Sequence, residues 1–261
     1  MNVSSRLPGT GTSIFSVMSK MALEHGAINL SQGFPDFPVD RVLIDLIHQK
    51  MVEGHNQYAP MPGVLPLRQA IAQTAQETYG RAVDPETEVT VTAGGTEALF
   101  SALAALVHPG DEVILFDPAY DSYDPAIRLN GGVPVHLNLA PPDFRIDWQA
   151  VKARISPRTR IIMVNTPHNP SGAVMHEADW RELEALALKH NLVVISDEVY
   201  ERLIFDGLRH HSVLSFPSLA DRSVAVYSFG KTFHATGWKV GYAVASPALT
   251  TEIRKAHQFI T

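Results

Sequence analysis

The sequence predicts an α/β fold in which helices cover both faces of a mostly parallel central sheet. Short apolar runs alternate with stretches of helical periodicity along most of the 261 residues. Several of these runs are continuously apolar, as expected for strands that are buried on both faces of a parallel sheet. A chain of this length can also bury a sizeable core. These observations together predict the fold class.

Regular structure is predicted to begin near residue 41. Residues 1–40 are polar and rich in glycine and proline, so we expect an irregular N-terminal arm or small-domain segment there. Residues 41–261 are expected to form one large domain. Apolar residues at helical spacing predict a helix after residue 41 and another over 67–79, ending at Gly80. Three prolines and a glycine predict a loop over 56–66.

Strands and helices are then predicted to alternate. Helices are expected to open near Thr96, to cover 177–190 and to begin near Pro247. The last helix is expected to reach Thr261 without a stop signal, so we expect the natural fold to continue beyond it. The predicted strands are 88–92, 112–116, 133–137, 161–164, 192–195, 224–227 and 240–245.

Composition excludes several classes of function. The net charge of −6 comes without a basic patch, so no nucleic-acid partner is indicated. The chain has no cysteine, which excludes disulfides and thiolate catalysis and agrees with a cytoplasmic location. We also expect no membrane association, because there is no signal-peptide pattern and no apolar run approaches a membrane span. The histidines lack metal-ligand spacing, so no metal is expected.

Polar segments follow five of the predicted strands. Ligands bind beyond the carboxyl ends of strands in open α/β sheets, so we expect these segments to share one crevice. They offer a glycine-rich phosphate cradle, an aromatic ring, an amide, a carboxylate and a lysine, the set that pyridoxal phosphate (PLP) needs. The segments are Thr92–Glu97, Asp117–Tyr120, Asn165–Gly172, Asp197–Tyr200 and Ser228–Thr232.

Four motifs carry a resemblance to a known family. They are NLSQGFPDF at 29–37, NQYAPM at 56–61, TPHNPS at 166–171 and SFGKTFH at 228–234. Their order and spacing resemble the class I/II aminotransferases of PLP fold type I, and most closely the methionine and kynurenine–glutamine aminotransferases. The resemblance runs from about residue 12 to the end of the chain. It implies an enzyme that moves the amino group of methionine or an aromatic amino acid to a 2-oxo acid through a Schiff base on Lys231.

The resemblance assigns catalytic roles to Lys231, Asp197 and Tyr200. Lys231 would bind the cofactor and move the Cα proton; alone it would be taken for a surface lysine, and the Walker A glycine is missing at Ala225. Asp197 would keep the pyridine nitrogen protonated, although an aspartate after a strand is also a common helix N-cap. Tyr200 and Asn169 would donate to the ring hydroxyl, and Asn169 would also border the substrate.

The remaining binding residues are assigned in the same way. The resemblance implies a phosphate site, a ring that stacks on the cofactor (Tyr120) and a tyrosine that reaches the neighbouring subunit of a homodimer (Tyr58). A partly buried packing role is the alternative for both tyrosines. Gly33 and Phe34 would close over the substrate, or belong to a flexible arm. The phosphate residues would be Gly94, Gly95, Thr96, Ser228 and Lys239.

Two alternatives to transamination remain. A PLP-dependent carbon–sulfur β-lyase would use the same lysine and aspartate, and only its products would distinguish it. An aminotransferase-like sensor domain would carry a DNA-binding segment before the resemblance begins, and we expect none because the resemblance begins near residue 12. The family's C-terminal small domain, which supplies the arginine for the substrate carboxylate, is expected to be absent from this chain. We therefore expect the chain alone to be weakly active or inactive.

Overall fold

The computed structural model describes residues 1–31, 33 and 37–261. These residues form two compact units, Met1–His55 and Asn56–Thr261. The predicted domain boundary after residue 40 stays a prediction. None of the helices among the described residues is both long and apolar enough to cross a membrane.

The first unit contains two helices, α1 (Ile14–Glu24) and α2 (Arg41–Val52). The α2 helix agrees with the sequence prediction, and the Asp40 side chain caps it by accepting a hydrogen bond from the Val42 amide at 2.8 Å. The expectation of irregular structure throughout residues 1–40 is wrong at α1. Apolar residues recur there at helical spacing, which indicates a helix. The glycines and prolines on either side indicate irregular structure, and the prediction for residues 1–40 rested on them.

The second unit is a seven-stranded sheet with helices packed on it. Its strands are β1 (Val89–Thr92), β2 (Glu112–Asp117), β3 (Val133–Asn138), β4 (Thr159–Asn165), β5 (Val193–Asp197), β6 (Ser223–Ser228) and β7 (Gly241–Ala245). Its helices are α3 (Leu65–Tyr79), α4 (Gly95–Leu106), α5 (Tyr123–Leu129), α6 (Trp148–Arg154), α7 (Glu177–His190), α8 (Pro217–Ala220), α9 (Phe229–Thr232) and α10 (Pro247–His257).

The strand order is β1-β7-β6-β5-β4-β2-β3. All neighbouring pairs are parallel except β6–β7 and β7–β1, which are antiparallel. Adjacent residues of one strand pack on opposite faces of the sheet, as Ile161 and Ile162 of β4 do, so each face has its own core. The helices α3, α6, α7 and α8 cover one face, and α4, α5 and α10 cover the other. The predicted fold class is therefore confirmed.

Two predicted boundaries need correction. The loop assigned to 56–66 ends earlier, because α3 begins at Leu65. Pro66 lies in the first turn of α3, where backbone amides have no partner within the helix, so a proline there costs no helical hydrogen bond. The last helix ends at His257 rather than Thr261. Within the polar segment predicted to follow a strand, Lys231 lies in the single helical turn α9. The predicted end of α3 is confirmed, since Gly80 adopts a left-handed conformation with a φ of 72°.

The antiparallel strand β7 comes unusually close to the turn that precedes α4. A Cβ atom at Gly241 would lie 2.6 Å from the carbonyl carbon of Gly94, 2.6 Å from the amide nitrogen of Gly95 and 2.7 Å from the carbonyl oxygen of Tyr227. All three are backbone atoms of elements fixed in the sheet or helix, so they cannot move aside as a flexible side chain would. A glycine at position 241 therefore allows the Gly94–Gly95 turn to lie against the sheet.

We expect Gly241→Ala to lower the free energy of unfolding by at least about 1–3 kcal/mol, the usual range for overpacking a buried site. The matched control is Gly237→Ala, where an added Cβ would meet nothing within 4 Å. Urea unfolding of the two variants and the wild type measures the difference. Equal stability of the two variants would contradict the close approach.

Candidate active site

The carboxyl ends of β4, β5 and β6 bring the predicted polar residues together. Asn165 of β4 and Asp197 of β5 are direct cross-strand neighbours, and the Asn165 side chain donates to the carbonyl oxygen of Asp197 at 3.0 Å. The next residue, Thr166, donates its amide to the same carbonyl at 3.0 Å. The end of β5 is thus fixed against the loop that follows β4.

Asp197 is a buried acid, and only 4% of its surface is exposed. Its Oδ2 accepts a hydrogen bond from the Tyr123 hydroxyl at 2.6 Å, and its Oδ1 accepts one from the Val199 amide at 3.2 Å. Burial raises the pKa of Asp197 from 3.8 to about 6, against these two hydrogen bonds, which favour the carboxylate. Glu198 raises this pKa further and Lys231 opposes the rise. The carboxylate is therefore available near neutral pH.

Tyr123 is a site residue that the sequence analysis missed. It opens α5, and the hydroxyl of its buried side chain reaches across to β5. Burial and the nearby Asp197 raise the pKa of Tyr123 well above 10, so the hydroxyl stays protonated and acts as the donor. The ring of Tyr120 packs edge-on against that of Tyr123, with centroids 5.6 Å apart. The sequence offered one signal for this residue, because Tyr123 comes three residues after Tyr120. The structure shows that it faces the acid at the end of β5.

A second group of predicted residues meets beside this acid. The Asn169 side chain donates to the Tyr200 hydroxyl at 3.5 Å, and the Asn169 amide donates to the Asn165 side chain at 2.7 Å. The Lys231 ammonium lies over the Tyr200 ring, 5.3 Å from its centroid. Burial and Asp197 raise the pKa of Tyr200, which keeps its hydroxyl protonated as a donor. Asn165 is a further residue that the sequence analysis did not single out.

The predicted phosphate cradle is a turn in which two successive residues, Gly94 and Gly95, have no side chain. Gly94 has a φ of 84°, a conformation that favours glycine, and it precedes the first residue of α4. A Cβ at Gly94 would meet the Lys239 ammonium at 3.4 Å, so that charge lies directly over the turn. A Cβ at Gly95 would meet the Val199 side chain at 3.0 Å. The Thr96 hydroxyl lies 3.4 Å from the Tyr120 hydroxyl, which connects the turn to the aromatic residue.

Two histidines fix the segments that carry these residues. His168 contacts the Ser171 hydroxyl at 2.6 Å and the Pro118 carbonyl at 2.9 Å, and so joins the loop after β4 to the loop after β2. His136 bridges Asp117 and Asp124 at 2.9 Å each. Both of its partners only accept hydrogen bonds, and they raise the pKa of His136 despite its partial burial. His136 is thus a cation that links the end of β2 to α5.

A cavity of about 440 Å³ opens beside the Asn169 side of this group. Its lining includes Tyr120, Tyr123, Asn165 and Asn169, together with apolar residues such as Phe116 and Met163. Two of the predicted residues, Tyr120 and Asn169, therefore border space that a small molecule can enter.

Three predicted residues are not part of the contacts described above. Tyr58 lies in the second unit and is fully exposed. Gly33 belongs to the first unit, where it is exposed. Phe34 lies outside the described residues.

Ser228 ends β6, and its hydroxyl is 3.4 Å from where a Cβ of Gly230 would be, so it stays at the same edge of the sheet as Lys231.

Comparisons with known proteins agree with this geometry. A sequence profile described as aminotransferase class I and II matches residues 25–261. The chain is 54% identical over 257 residues to a methionine aminotransferase of Escherichia coli K12, covering 98% of this chain and 67% of that protein. It is 37% identical over 268 residues to kynurenine–oxoglutarate transaminase 1 of Rattus norvegicus, covering 97% of this chain and 63% of that protein.

A solved Escherichia coli structure, reported with a methionine aminotransferase function, superposes with a TM-score of 0.96 at 52% identity. The superposition covers 100% of this chain and 68% of that one. The chain therefore spans about two thirds of the length of these relatives.

The fold and the comparisons define a class of enzymes that transfer amino groups and use PLP as their cofactor. The chain belongs to the class I and II aminotransferases. The resemblance found in the sequence is thereby confirmed, and relatives in this family use amino acids and 2-oxo acids as substrates.

The described residues fit the cofactor of this family. A glycine turn at a helix N-terminus, with an ammonium over it, suits a phosphate group. A buried carboxylate that remains ionisable near neutral pH suits a protonated ring nitrogen. The hydroxyl of Tyr200 and the amide of Asn169 can donate to one oxygen between them, and Lys231 provides the amine.

The buried acid predicts a pH-dependent instability in the cofactor-free protein. Because the pKa of Asp197 is raised from 3.8 to about 6, its contribution to stability is fully present below pH 3.8 and is lost as the pH rises through about 6. We expect Asp197→Asn to remove this loss and to raise the unfolding free energy above pH 6 by up to about 3 kcal/mol, less the weakened hydrogen bonds.

Urea unfolding between pH 4 and 8 measures this effect. Asp45→Asn, an exposed aspartate of α2, is the control and should keep the wild-type profile. A wild-type profile in Asp197→Asn would contradict the proposed burial penalty.

Proposed function

We propose that this chain is the cofactor-binding part of a PLP-dependent aminotransferase. The proposed reaction moves the amino group of methionine or an aromatic amino acid to a 2-oxo acid. The observation that carries the proposal is the meeting of Lys231, Tyr200, Asn169 and Asp197 at one edge of the sheet, beside a glycine turn. The 54% identity to a methionine aminotransferase supports the choice of donor.

Each proposed role follows from chemistry that the contacts allow. PLP, when bound, supplies an electrophilic carbon and a ring that accepts electrons. Asp197 holds a proton on the ring nitrogen, since its carboxylate is buried and ionisable near neutral pH. Tyr200 and Asn169 donate to the ring oxygen. The Lys231 amine binds the cofactor and moves the proton of the substrate Cα.

The phosphate is proposed to bind at the other end of the site. Amides of Gly94, Gly95 and Thr96 lie at the start of α4, where the helix dipole favours an anion. The Lys239 ammonium, which lies over Gly94, adds a positive charge, and the Ser228 hydroxyl adds a donor. Tyr120 is proposed to stack on the ring, and its contact with Thr96 keeps it close to the phosphate end.

We also propose that the active protein is a homodimer. Tyr58 is fully exposed in this chain, which suits a residue that reaches the phosphate of the neighbouring subunit. Gly33, Phe34 and Asn169 are proposed to border the substrate.

The lysine assignment is tested by the visible absorption of the purified protein with PLP. We expect wild type to show the band of lysine-bound PLP, and methionine to convert it to the pyridoxamine form. Lys231→Ala should lack that band and should transfer amino groups at least about 10³-fold more slowly, because a nucleophile and a proton carrier are lost together. Lys189→Ala, an exposed lysine of α7, is the matched control and should behave as wild type.

Product analysis separates transamination from the alternative reaction. A transaminase converts methionine to a 2-oxo acid that keeps the sulfur side chain. A carbon–sulfur β-lyase acting on a cysteine S-conjugate releases pyruvate and ammonia. Pyruvate and ammonia without a matched 2-oxo acid would overturn the transaminase proposal, and wild type that binds no PLP would overturn the cofactor assignment.

Tyr123 is expected to set the pH range of cofactor binding. Tyr123→Phe removes a hydrogen bond that favours the Asp197 carboxylate, while burial, which disfavours it, remains. The acid limb of PLP affinity should therefore move to higher pH by about one pH unit. Tyr79→Phe, which removes a tyrosine hydroxyl bonded to Glu201, should leave the limb in place. Equal profiles for both variants would refute the role of Tyr123.

A further inference from the structure

A buried carboxylate lies beside the turn proposed to bind phosphate. Glu97 is the third residue of α4, its side chain is 9% exposed, and its Oε2 accepts the Ala93 amide at 3.1 Å. This bond orders the turn that contains Gly94. An uncompensated negative charge in the first turn of the helix would also compete with a phosphate for the same positive end. To bind a phosphate, the turn therefore needs Glu97 to order it and a cation to balance the negative charge of Glu97.

The structure provides a cation for this purpose on α10. Nδ1 of His257 lies 2.9 Å from Oε1 of Glu97, and Nε2 lies 2.9 Å from the carbonyl oxygen of Met61. A carboxylate and a carbonyl oxygen both only accept hydrogen bonds, so both ring nitrogens must carry protons. His257 is thus an imidazolium, and its side chain is only 5% exposed.

The charges that act on His257 come from two helices. Glu97 of α4 is its hydrogen-bond partner and raises the pKa of His257, while burial and Arg254 of α10 oppose the rise. Arg254 is itself directed to the side chain of Thr90 and the carbonyl oxygen of Val89. The adjoining strands β1 and β7 contain no charged residue. Lys239 places a positive charge over Gly94 from outside the helix, whereas the His257 imidazolium is the cation that contacts Glu97 itself.

His257 also holds the segment that carries Tyr58. Met61 belongs to the loop before α3, and the next residue, Pro62, accepts the amide of Val91 in β1 at 3.0 Å. The imidazolium therefore joins three segments: α10, the loop with Tyr58 and the start of α4. Two of these segments carry proposed phosphate ligands.

We propose that His257 is a positioning residue for phosphate binding, because its charge compensates Glu97 and lets Glu97 order the Ala93–Gly95 turn without repelling a phosphate. The proposal builds on the proposed function, since it concerns the phosphate end of the same site. It assigns no contact between His257 and the cofactor. The role is electrostatic, so it should be visible only with ligands that carry a phosphate.

The test compares three ligands: PLP, inorganic phosphate and pyridoxal, which lacks the phosphate. We expect His257→Gln to weaken the binding of PLP and of inorganic phosphate on the order of tenfold, because Glu97 is left with an unbalanced charge. Pyridoxal affinity should stay at the wild-type value. The double variant Glu97→Gln/His257→Gln has no charge at either position and should recover the affinity for PLP and phosphate.

Each outcome decides the matter. If His257→Gln weakens pyridoxal as much as PLP, or weakens neither, the proposal is overturned. If the single variant does not fold, the double variant decides: wild-type phosphate affinity supports charge compensation, and a tenfold loss overturns it. If wild type binds phosphate but not PLP, the proposed function fails, whereas a loss of phosphate binding in His257→Gln still supports the role of His257.

Discussion

The arrangement of the site depends on keeping one aspartate ionisable inside the protein. Asp197 stands at the end of the central strand β5, between two parallel neighbours, where burial disfavours its charge. Neutral donors, the Tyr123 hydroxyl and the Val199 amide, counter that effect. The parallel register places Asn165 beside the same strand end, and Asn165 in turn orients Asn169. The side chain and the backbone carbonyl of Asp197 thus contact Tyr123, Val199 and Asn165 at this edge.

Much of the fold could be predicted from the sequence because burial on both faces leaves a plain pattern. Continuous apolar runs such as Val224–Tyr227 have few alternative explanations, and Gly80 marks the end of α3 as predicted. Helix α1 could not be predicted as securely, because it buries none of its residues and lies between glycine-rich segments. For such a helix the apolar spacing is weak evidence of helical structure, and the glycine-rich segments on either side indicate a loop instead.

The site shows the same division. Asp197 ends β5, and Asn169, Tyr200 and Lys231 lie within four residues of the ends of β4, β5 and β6, so the sheet determines where they meet. Tyr123 and Gly241 escaped notice because their roles depend on contacts between segments far apart in sequence, a hydroxyl reaching β5 and a strand lying against a turn. The pattern of neighbouring residues in the sequence does not indicate contacts between distant segments. Tyr58, Gly33 and Phe34 rest on family resemblance, and their roles stay predictions.

The close approach of Gly241 to the Gly94–Gly95 turn has a consequence for the order of events in the cell. The two sides of this contact are separated by roughly 150 positions, and within the described part of the chain β1 pairs only with β7, so the turn lacks its support until β7 has left the ribosome. The parallel strands β2 to β6 can pair before that point. A nascent chain would therefore bring the ends of β5 and β6 together before the Gly94–Gly95 turn gains its support from β7.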